Sequence, residues 1–225
     1  MTAFPAAAGA PDAAIFPQRR LSMMDSPVPI RLEDPDEDKE GSGDKGLSAK
    51  LLKSRTVLVS EVISDKLYRR VVTTLVLLEQ DNCTAPINVY VNSPGGSADS
   101  GFAIYDVLRF IRSPIRTLCS GLCASAAVLI YLAAPRERRF SLPHSRFLLH
   151  QPSTQLFGAA SDIEINANEI LRLRESYNQI VSQETGRTVE SITKDADRDF
   201  WLSAIQGLEY GLVGKVISKY EEFIK

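Results

Sequence analysis

From Thr56 onward, the sequence alternates between short β-branched segments and longer segments with helical periodicity. The segments TVLVSEVI, INVYVNS and IRTLCSGL predict strands at residues 56–63, 87–93 and 115–122. Ser64 and Asp65 can cap a helix between the first two strands. The apolar positions of this helix recur at helical spacing and are Leu67, Val71, Leu75 and Leu78. Repeated βα units favour an α/β fold with a mostly parallel sheet covered by helices.

The same alternation continues to the end of the chain. It predicts a helix at 100–113 that Pro114 ends, a helix within 120–135, a strand region at 140–152 and a last strand at 214–219. A long helix is predicted at 161–186, with a capping box of Ser161 and Glu164 and with Gly186 as its stop. In such folds the carboxyl ends of the strands and the N-termini of the helices share one edge, where we expect the functional site.

The N-terminal part of the chain differs in composition from the rest. Residues 1–25 are rich in Ala and Pro without a sustained period, which predicts a flexible leader. The stretch EDPDEDKEGSGDKG (33–46) is dense in acidic residues and glycine and predicts a solvated loop. The folded domain is therefore predicted from Leu47 to the C-terminus.

Composition excludes several classes of protein. A net charge of −2 gives no general case for nucleic-acid binding, and no apolar run reaches the length of about 20 residues that a membrane-spanning helix needs. The N-terminus lacks the pattern of a secretory signal. Three cysteines do not make a disulfide framework and favour reduced thiols in a cytoplasmic protein. Three scattered cysteines and two histidines also do not predict a metal site.

One serine lies in the apolar run SGLCASAAVLIYLAAP (120–135). Ser125 falls where a strand gives way to a helix, and serines at that position are usually helix caps. The same position suits a nucleophile, because free N–H groups and the helix dipole stabilise an oxyanion. Such a nucleophile needs a base, and the chain offers only His144, in a predicted surface turn, and His150, at the end of the strand RFLLH.

A third member would be an acid that orients the imidazole. The stretch KDADRDFWLSA offers Asp195, Asp197 and Asp199. Asp199 adjoins the apolar FWL and is expected to be drawn inward, while the other two are expected to be solvated. The turn NSPGG (92–96) marks a chain reversal and also lets backbone N–H groups approach a ligand. The pattern alone leaves both a helix cap and a Ser/His/Asp hydrolase open.

From about Val28 to Val216 the chain closely resembles the proteolytic subunit of the Clp protease, the ClpP family. The stretches that carry the resemblance are VYVNSPGGSADSGFAIYDVLRFI, GLCASAAVL, RFSLPHSRFLLHQP, DIEINANEILRLRE and DADRDFWLSAIQGLEYGLV. The resemblance implies that Ser125, His150 and Asp199 form the catalytic triad of a serine endopeptidase. It also implies that the backbone N–H groups of Gly96 and Ala126 form the oxyanion hole.

The resemblance further implies a fold, an assembly and a partner. The fold is the ClpP/crotonase-type ββα superhelix with a protruding handle helix, here 161–186. Family members form two stacked seven-membered rings, and Arg198 matches an arginine that pairs across the rings. An AAA+ unfoldase delivers unfolded polypeptides and uses the ATP, so no cofactor is expected in this chain. Residues 26–46 correspond to axial pore loops, and a self-processing cut is expected near Asp25–Ser26.

The sequence departs from the family at several positions. Ser125-Ala126-Ala127 stands where the family usually has Ser-Met-Gly, and STQLFG (153–158) replaces a glycine-rich stretch. The acidic axial segment is longer than usual, and Asn88 stands where a docking tyrosine is common, although Tyr90 is retained. These departures suggest a secondary paralog that works in a mixed assembly. The alternatives to a peptidase are a structural or weakly active ring subunit and an acyl-CoA enzyme of the crotonase fold.

Overall fold

A computed structural model describes residues 42–153 and 155–224. The helices are α1 (Ser42–Lys53), α2 (Asp65–Asp81), α3 (Ala98–Phe110), α4 (Ala126–Leu132), α5 (Ala160–Thr185), α6 (Val189–Asp195), α7 (Ala204–Tyr210) and α8 (Glu221–Ile224). The strands are β1 (Thr56–Val59), β2 (Ile87–Ser93), β3 (Ile115–Ala124), β4 (Arg139–Ser141), β5 (Arg146–Leu149), β6 (Phe200–Ser203) and β7 (Lys215–Val216). The leader at 1–25 and most of the axial segment at 26–46 lie outside the described residues.

The strands form one sheet that is almost entirely parallel. The order is β1-β2-β3-β4-β7, and all these pairs are parallel. β5 pairs in parallel with the second half of β3, and β6 runs antiparallel along β5. The predicted α/β fold is therefore confirmed, with β6 as a strand that the sequence pattern did not reveal.

The apolar pattern of the sequence places the helices on the sheet as predicted. Ser64 caps α2 by accepting a hydrogen bond from the Leu67 amide at 3.3 Å, and all four predicted apolar positions of this helix are buried. All seven residues of α4 are buried as well, so this helix lies inside the domain. No helix of the described range is both long and apolar enough to cross a membrane.

Several predicted boundaries differ from the structure. β3 continues to Ala124, because its last residues pair with β5, and α4 begins only at Ala126. The first strand ends at Val59, the region 140–152 divides into β4 and β5, and the last strand is only Lys215–Val216. The acidic segment is already helical from Ser42, where α1 begins.

The predicted capping box at Ser161 and Glu164 is wrong. α5 begins at Ala160, its N-cap position is Ala159, and no side chain caps it. Ser161 and Glu164 are both exposed. The predicted stop is confirmed, since Gly186 follows the helix with φ 77° in the left-handed region.

A buried ion pair joins β4 to the end of α5. Arg139 is fully buried, and its guanidinium pairs with the carboxylate of Glu184. The same guanidinium donates to the backbone oxygens of Ala134 at 2.6 Å and Glu184 at 2.9 Å. Removing one partner of such a pair typically costs about 3–5 kcal/mol, because the other charge is left buried. The pair therefore fixes the C-terminal end of α5 against the sheet.

The other apolar cluster of the described chain involves the C-terminal helix. Phe223 of α8 is buried and packs edge-on against Tyr90 and Phe140, with ring centroids 5.7 and 5.3 Å away. Leu118 and Ile217 complete this cluster. A parallel sheet usually has both faces covered, and Phe223 covers part of the face opposite the main core.

Glu79 of α2 binds the chain between α3 and β3. Its carboxylate accepts hydrogen bonds from the backbone N–H and Nε of Arg112 at 3.2 and 2.8 Å. It also accepts from the N–H and hydroxyl of Ser113 at 2.9 and 2.7 Å. These donors, led by the Ser113 hydroxyl, lower the pKa of Glu79 from 4.5 to about 2. The ionised carboxylate thus holds the entry into β3.

The Glu79→Gln variant should be less stable than the parent at neutral pH, with a difference that fades in acid. A lowered native pKa stabilises the fold above the unfolded value of 4.5, and this contribution is lost as the pH falls towards 2. Urea unfolding midpoints across this range measure the effect. Glu169→Gln, in the exposed pair with Arg172, is the matched control and should stay close to the parent. Equal effects of the two substitutions would contradict the assignment.

Candidate active site

Ser125 occupies a sharp turn between β3 and α4. Its φ of 55° and ψ of −125° lie in a region that residues other than glycine rarely adopt, at a cost of about 1–3 kcal/mol. It stands at the N-cap position of α4, yet its side chain makes no capping hydrogen bond. The helix-cap interpretation is therefore wrong. The half-buried hydroxyl lines a cavity instead.

The backbone on both sides fixes this turn. The Ser125 amide donates to the carbonyl of Leu148 in β5 at 2.9 Å, and the Ser125 carbonyl accepts from Val128 at 3.0 Å. The hydroxyl of Tyr177 on α5 also points at the Ser125 carbonyl, 3.5 Å away. Burial raises the pKa of Tyr177, so this hydroxyl stays protonated and can donate. The turn is held by β5, α4 and α5 together.

His150 and Asp199 meet at the edge formed by β5 and β6. His150 follows β5 directly, Asp199 precedes β6 directly, and the register pairs Leu149 with Phe200. The His150 Nδ1 lies 3.2 Å from the Asp199 Oδ1. Since a carboxylate only accepts, Nδ1–H is the donor, and in the neutral imidazole Nε2 then carries the free lone pair.

Two expectations about the acidic residues are wrong. Asp199 is not drawn inward, because it stands at an outer strand and its side chain is 64% exposed, against 31% for His150. Asp195 was expected to be solvated but is half-buried and accepts from the Tyr210 hydroxyl at 2.8 Å. The exposed Asp197 receives the Gln151 side chain through its backbone oxygen at 2.8 Å.

The NSPGG turn packs directly against Ser125. Gly95 and Gly96 have φ values of 91° and 148°. A Cβ atom on Gly95 would lie 2.7 Å from both the Ser125 Cβ and the Ala124 carbonyl oxygen. The bridge between this turn and Ile63 uses the Gly95 carbonyl and the Ser97 amide, so the Gly96 N–H stays outside it. Ala126, as the first residue of α4, also has an N–H with no acceptor within the helix.

A cavity of about 400 Å³ brings four of the predicted residues together, namely Ser125, His150, Gly96 and Ala126. Its remaining wall includes the apolar side chains Phe102, Leu129 and Leu173, together with Tyr177. Asp199 stands behind His150, outside the lining. Four of the predicted site residues therefore share one cavity, which has a polar edge at Ser125 and an apolar wall beside it.

Four further positions bear on what the sequence predicted. Arg198 is exposed and forms no salt bridge within the part of the chain that the structure describes. His144 is exposed, as predicted. Phe102 and Tyr177 were not selected as site residues. The helical spacing of α3 and α5 could mark them only as core positions, because periodicity does not tell a cavity wall from a packed interior.

Comparison with known proteins identifies related chains. A model of the Clp protease family matches residues 40–220. ATP-dependent Clp protease proteolytic subunit 2 of Treponema denticola is 44% identical over 173 residues, which are 77% of this chain and 86% of the relative. Proteolytic subunit 3 of Rhizobium etli is 45% identical over 186 residues, which are 83% of this chain and 95% of the relative.

A solved structure shares the fold. A point mutant of ClpP1 from Listeria monocytogenes superimposes with a TM-score of 0.73 at 40% sequence identity. The match covers 79% of this chain and 99% of that chain.

Gly95→Ala should slow the reaction of Ser125 with a fluorophosphonate probe by about 100-fold or more, because the new Cβ displaces the serine. Gly186→Ala is the matched control, since its φ of 77° is also positive and nothing lies within 4 Å of the added Cβ. Both variants should lose stability through the strained φ, but only Gly95→Ala should lose reactivity. Labelling of both at similar rates would show that the turn does not position Ser125.

Proposed function

Because the chain belongs to the Clp protease family and has the ClpP fold, we propose that it is the serine endopeptidase core of a Clp-type protease. Its substrates are unfolded polypeptides, and the reaction passes through an acyl-enzyme. One observation carries the proposal. Ser125 stands in a strained turn without a capping role, and it shares its cavity with His150, whose other ring nitrogen faces Asp199.

In the proposed reaction, the Nε2 of His150 takes the proton of the Ser125 hydroxyl as its oxygen attacks the peptide carbonyl carbon. Asp199 holds the imidazole through Nδ1 and stabilises the imidazolium. The N–H groups of Gly96 and Ala126 stabilise the oxyanion. The imidazolium returns its proton to the leaving amine, and water, activated by the same histidine, then hydrolyses the ester on Ser125.

The apolar wall of the cavity supports a preference for substrates that have an apolar side chain next to the scissile bond. Phe102, Leu129 and Leu173 lie beside the serine, where they can receive an apolar side chain next to the scissile bond. Ala126 takes little space here, so the pocket differs in shape from that of relatives with a larger residue. The chemistry needs no cofactor in this chain, and ATP is used by the partner ATPase.

We place the chain in stacked heptameric rings with an AAA+ Clp ATPase as partner, in the cytoplasm. The surface of α5, the proposed handle helix, is one observation in favour of this assembly. Several apolar side chains of α5 are exposed. These are Ile163, Ile165 and Leu171, and Phe157 just before the helix is 89% exposed. Large exposed apolar patches mark protein–protein interaction sites. Arg198, which is exposed beside Asp199, is proposed to pair across the rings.

The surface around Tyr90 supports the proposal that the chain forms a mixed ring with a second ClpP paralog. The family docks its ATPase on apolar groups there, and in this chain Phe223 already packs against Tyr90. The neighbouring Asn88 has a buried side-chain oxygen without a hydrogen-bond partner. Both features favour weak or altered docking by this subunit. A partner subunit would then recruit the ATPase.

The second candidate function is a weakly active or structural ring subunit. The Ala126-Ala127 pair favours it, because the residues after the nucleophile differ from the family pattern. Within the described chain, the Ser125 hydroxyl also forms no hydrogen bond with His150. Catalytic hydrogen bonds often tighten only when substrate binds, so this geometry is compatible with both candidates.

A fluorophosphonate probe should label the ring-sized fraction of the parent protein and not Ser125→Ala. Asp199→Asn should lower peptidase kcat by about 10³-fold or more, because the imidazole loses its orientation and charge partner. Asp197→Asn, at an exposed acid two residues away, is the matched control and should retain most activity. An assembled ring without labelling would favour the structural subunit, and a clean monomer in sizing chromatography would count against the ring.

Removal of the leader should depend on Ser125. We expect mass spectrometry to find the parent chain starting near Ser26 and the Ser125→Ala variant keeping residues 1–25, because the cut is made by the active site itself. Mixing the inactive chain with active parent protein tests whether the cut can occur between subunits. A leader that stays on both proteins equally would contradict self-processing.

A further inference from the structure

β3 changes its neighbour halfway along its length. Residues 117–119 pair with 139–141 of β4, whereas residues 122–124 pair with 146–148 of β5. The first half of β3 therefore belongs to the main sheet, and the second half belongs to the β5–β6 edge. Ser125 directly follows the second half, so its position depends on how this change is made.

A bulge in β3 makes the change possible. On the other side of β3, Val91 and Ser93 of β2 are paired with Cys119 and Cys123. A step of two residues on β2 thus matches a step of four on β3. The extra residues have lost their regular partners in β2, and their backbone N–H groups need other acceptors.

The side chain of Asn92 fills the bulge. Its Oδ1 accepts a hydrogen bond from the Leu122 amide at 2.9 Å. Gly121, with φ 140°, lets the side chain come this close, since a Cβ there would lie 2.6 Å from the same oxygen. Asn92 lies between Val91 and Ser93, the two paired residues of β2. Its side chain therefore supplies an acceptor that the β2 backbone does not supply.

Ser145 holds the bulge from the other side. It lies in the connection from β4 to β5 and is 2% exposed. Its hydroxyl oxygen accepts from the Gly121 amide at 3.2 Å and its O–H donates to the Cys119 carbonyl at 2.9 Å. Both extra N–H groups, on Gly121 and Leu122, are therefore satisfied by side chains.

The bulge fixes the carboxyl ends of β3 and β5, which are followed by Ser125 and His150. Once Leu122 is in place, β3 and β5 run together and the Ser125 amide meets the Leu148 carbonyl at 2.9 Å. His150 lies two residues beyond Leu148. Asn92 also leads into the Gly95-Gly96 turn, so its side chain joins the strand before the glycine turn to the strand before the serine, and that strand in turn pairs with β5, which precedes the histidine.

We propose that Asn92 is a positioning residue: its side-chain carbonyl sets the register of β3 against β5 and thereby the distance between Ser125 and His150. The proposal rests on the peptidase function proposed above. It predicts that loss of this acceptor slows acylation of Ser125 much more than it weakens binding of a peptide.

The test compares Asn92→Ala, which removes the acceptor, with Asn92→Asp, which keeps an oxygen at the same place. Asn82→Ala is the matched control, because the Oδ1 of Asn82 also accepts backbone N–H groups, those of Thr84 and Ala85, in a turn outside the site. The readouts are the rate at which a fluorophosphonate probe phosphonylates Ser125 with loss of fluoride, peptide KM, melting temperature and hydrogen exchange of the segments 122–125 and 146–150.

We expect Asn92→Ala to react with the probe about tenfold or more slowly, with a KM for peptide close to the parent, since small misplacements of reacting groups can cost about 100-fold. Asn92→Asp should recover most of the rate, and Asn82→Ala should keep it. If Asn92→Ala and Asn82→Ala lose similar stability and both react with the probe at the parent rate, Asn92 is only structural and the proposal is overturned.

The proposal can also be tested if the parent protein is not labelled or if Asn92→Ala does not fold. If the parent is not labelled, the proposed peptidase function fails, and hydrogen exchange then judges the register. Faster exchange in both segments of Asn92→Ala alone supports it, and unchanged exchange overturns it. If Asn92→Ala does not fold, Ser145→Ala takes its place, because it removes the opposite half of the bulge contacts. A slower reaction with the probe is then expected, and an unchanged rate overturns the proposal.

Discussion

The irregular pairing of β3 is the constraint on which the rest of the site depends. A strand that paired regularly with β2 and β4 along its whole length would leave β5 without its parallel partner and would detach the β5–β6 pair from the main sheet. The bulge at Gly121 releases the second half of β3, which then pairs with β5 and ends at Ala124, directly before Ser125. β5 in turn carries β6 and brings Asp199 to His150. All three proposed triad residues thus reach their places through backbone pairing that starts at β3.

The strain at Ser125 is maintained by the elements packed around it. A positive φ at a serine costs about 1–3 kcal/mol and persists only where the surroundings leave no alternative. Here α4 begins at the next residue with every side chain buried, and fully burying one large apolar side chain contributes about 1.5–3 kcal/mol. On α3, Gly101 approaches so closely that its missing Cβ would lie 2.9 Å from the Ala126 Cβ. The buried helix therefore holds the serine turn in a conformation that it would otherwise leave.

The sequence predicts the elements whose periodicity agrees with their burial, such as α2 and β2, and it predicts the turn at Gly186. It fails where tertiary contacts override local pattern. The box at Ser161 and Glu164 does not form, because the chain before α5 places Ala159 at the cap. The strand β6 is too short and mixed to be recognised before β5 gives it a partner. The roles of Asn92 and Tyr177 arise only from contacts between distant elements. Pattern alone could also not decide whether Ser125 caps α4, and the structure shows that its side chain makes no capping hydrogen bond.

The contact between His150 and Asp199 is placed by the backbone rather than by its own attraction. An ion pair or hydrogen bond between groups that are 31% and 64% exposed contributes little, about 0–1 kcal/mol, since water competes for both partners. The surrounding chain supplies the order instead. The pairing of Leu149 with Phe200 fixes the two strands, and the Gln151 amide donates to the Ala196 carbonyl at 2.8 Å. The segment that carries Asp199 is thereby joined to β5 on both sides of the histidine, so the orientation of the imidazole follows from the β5–β6 register.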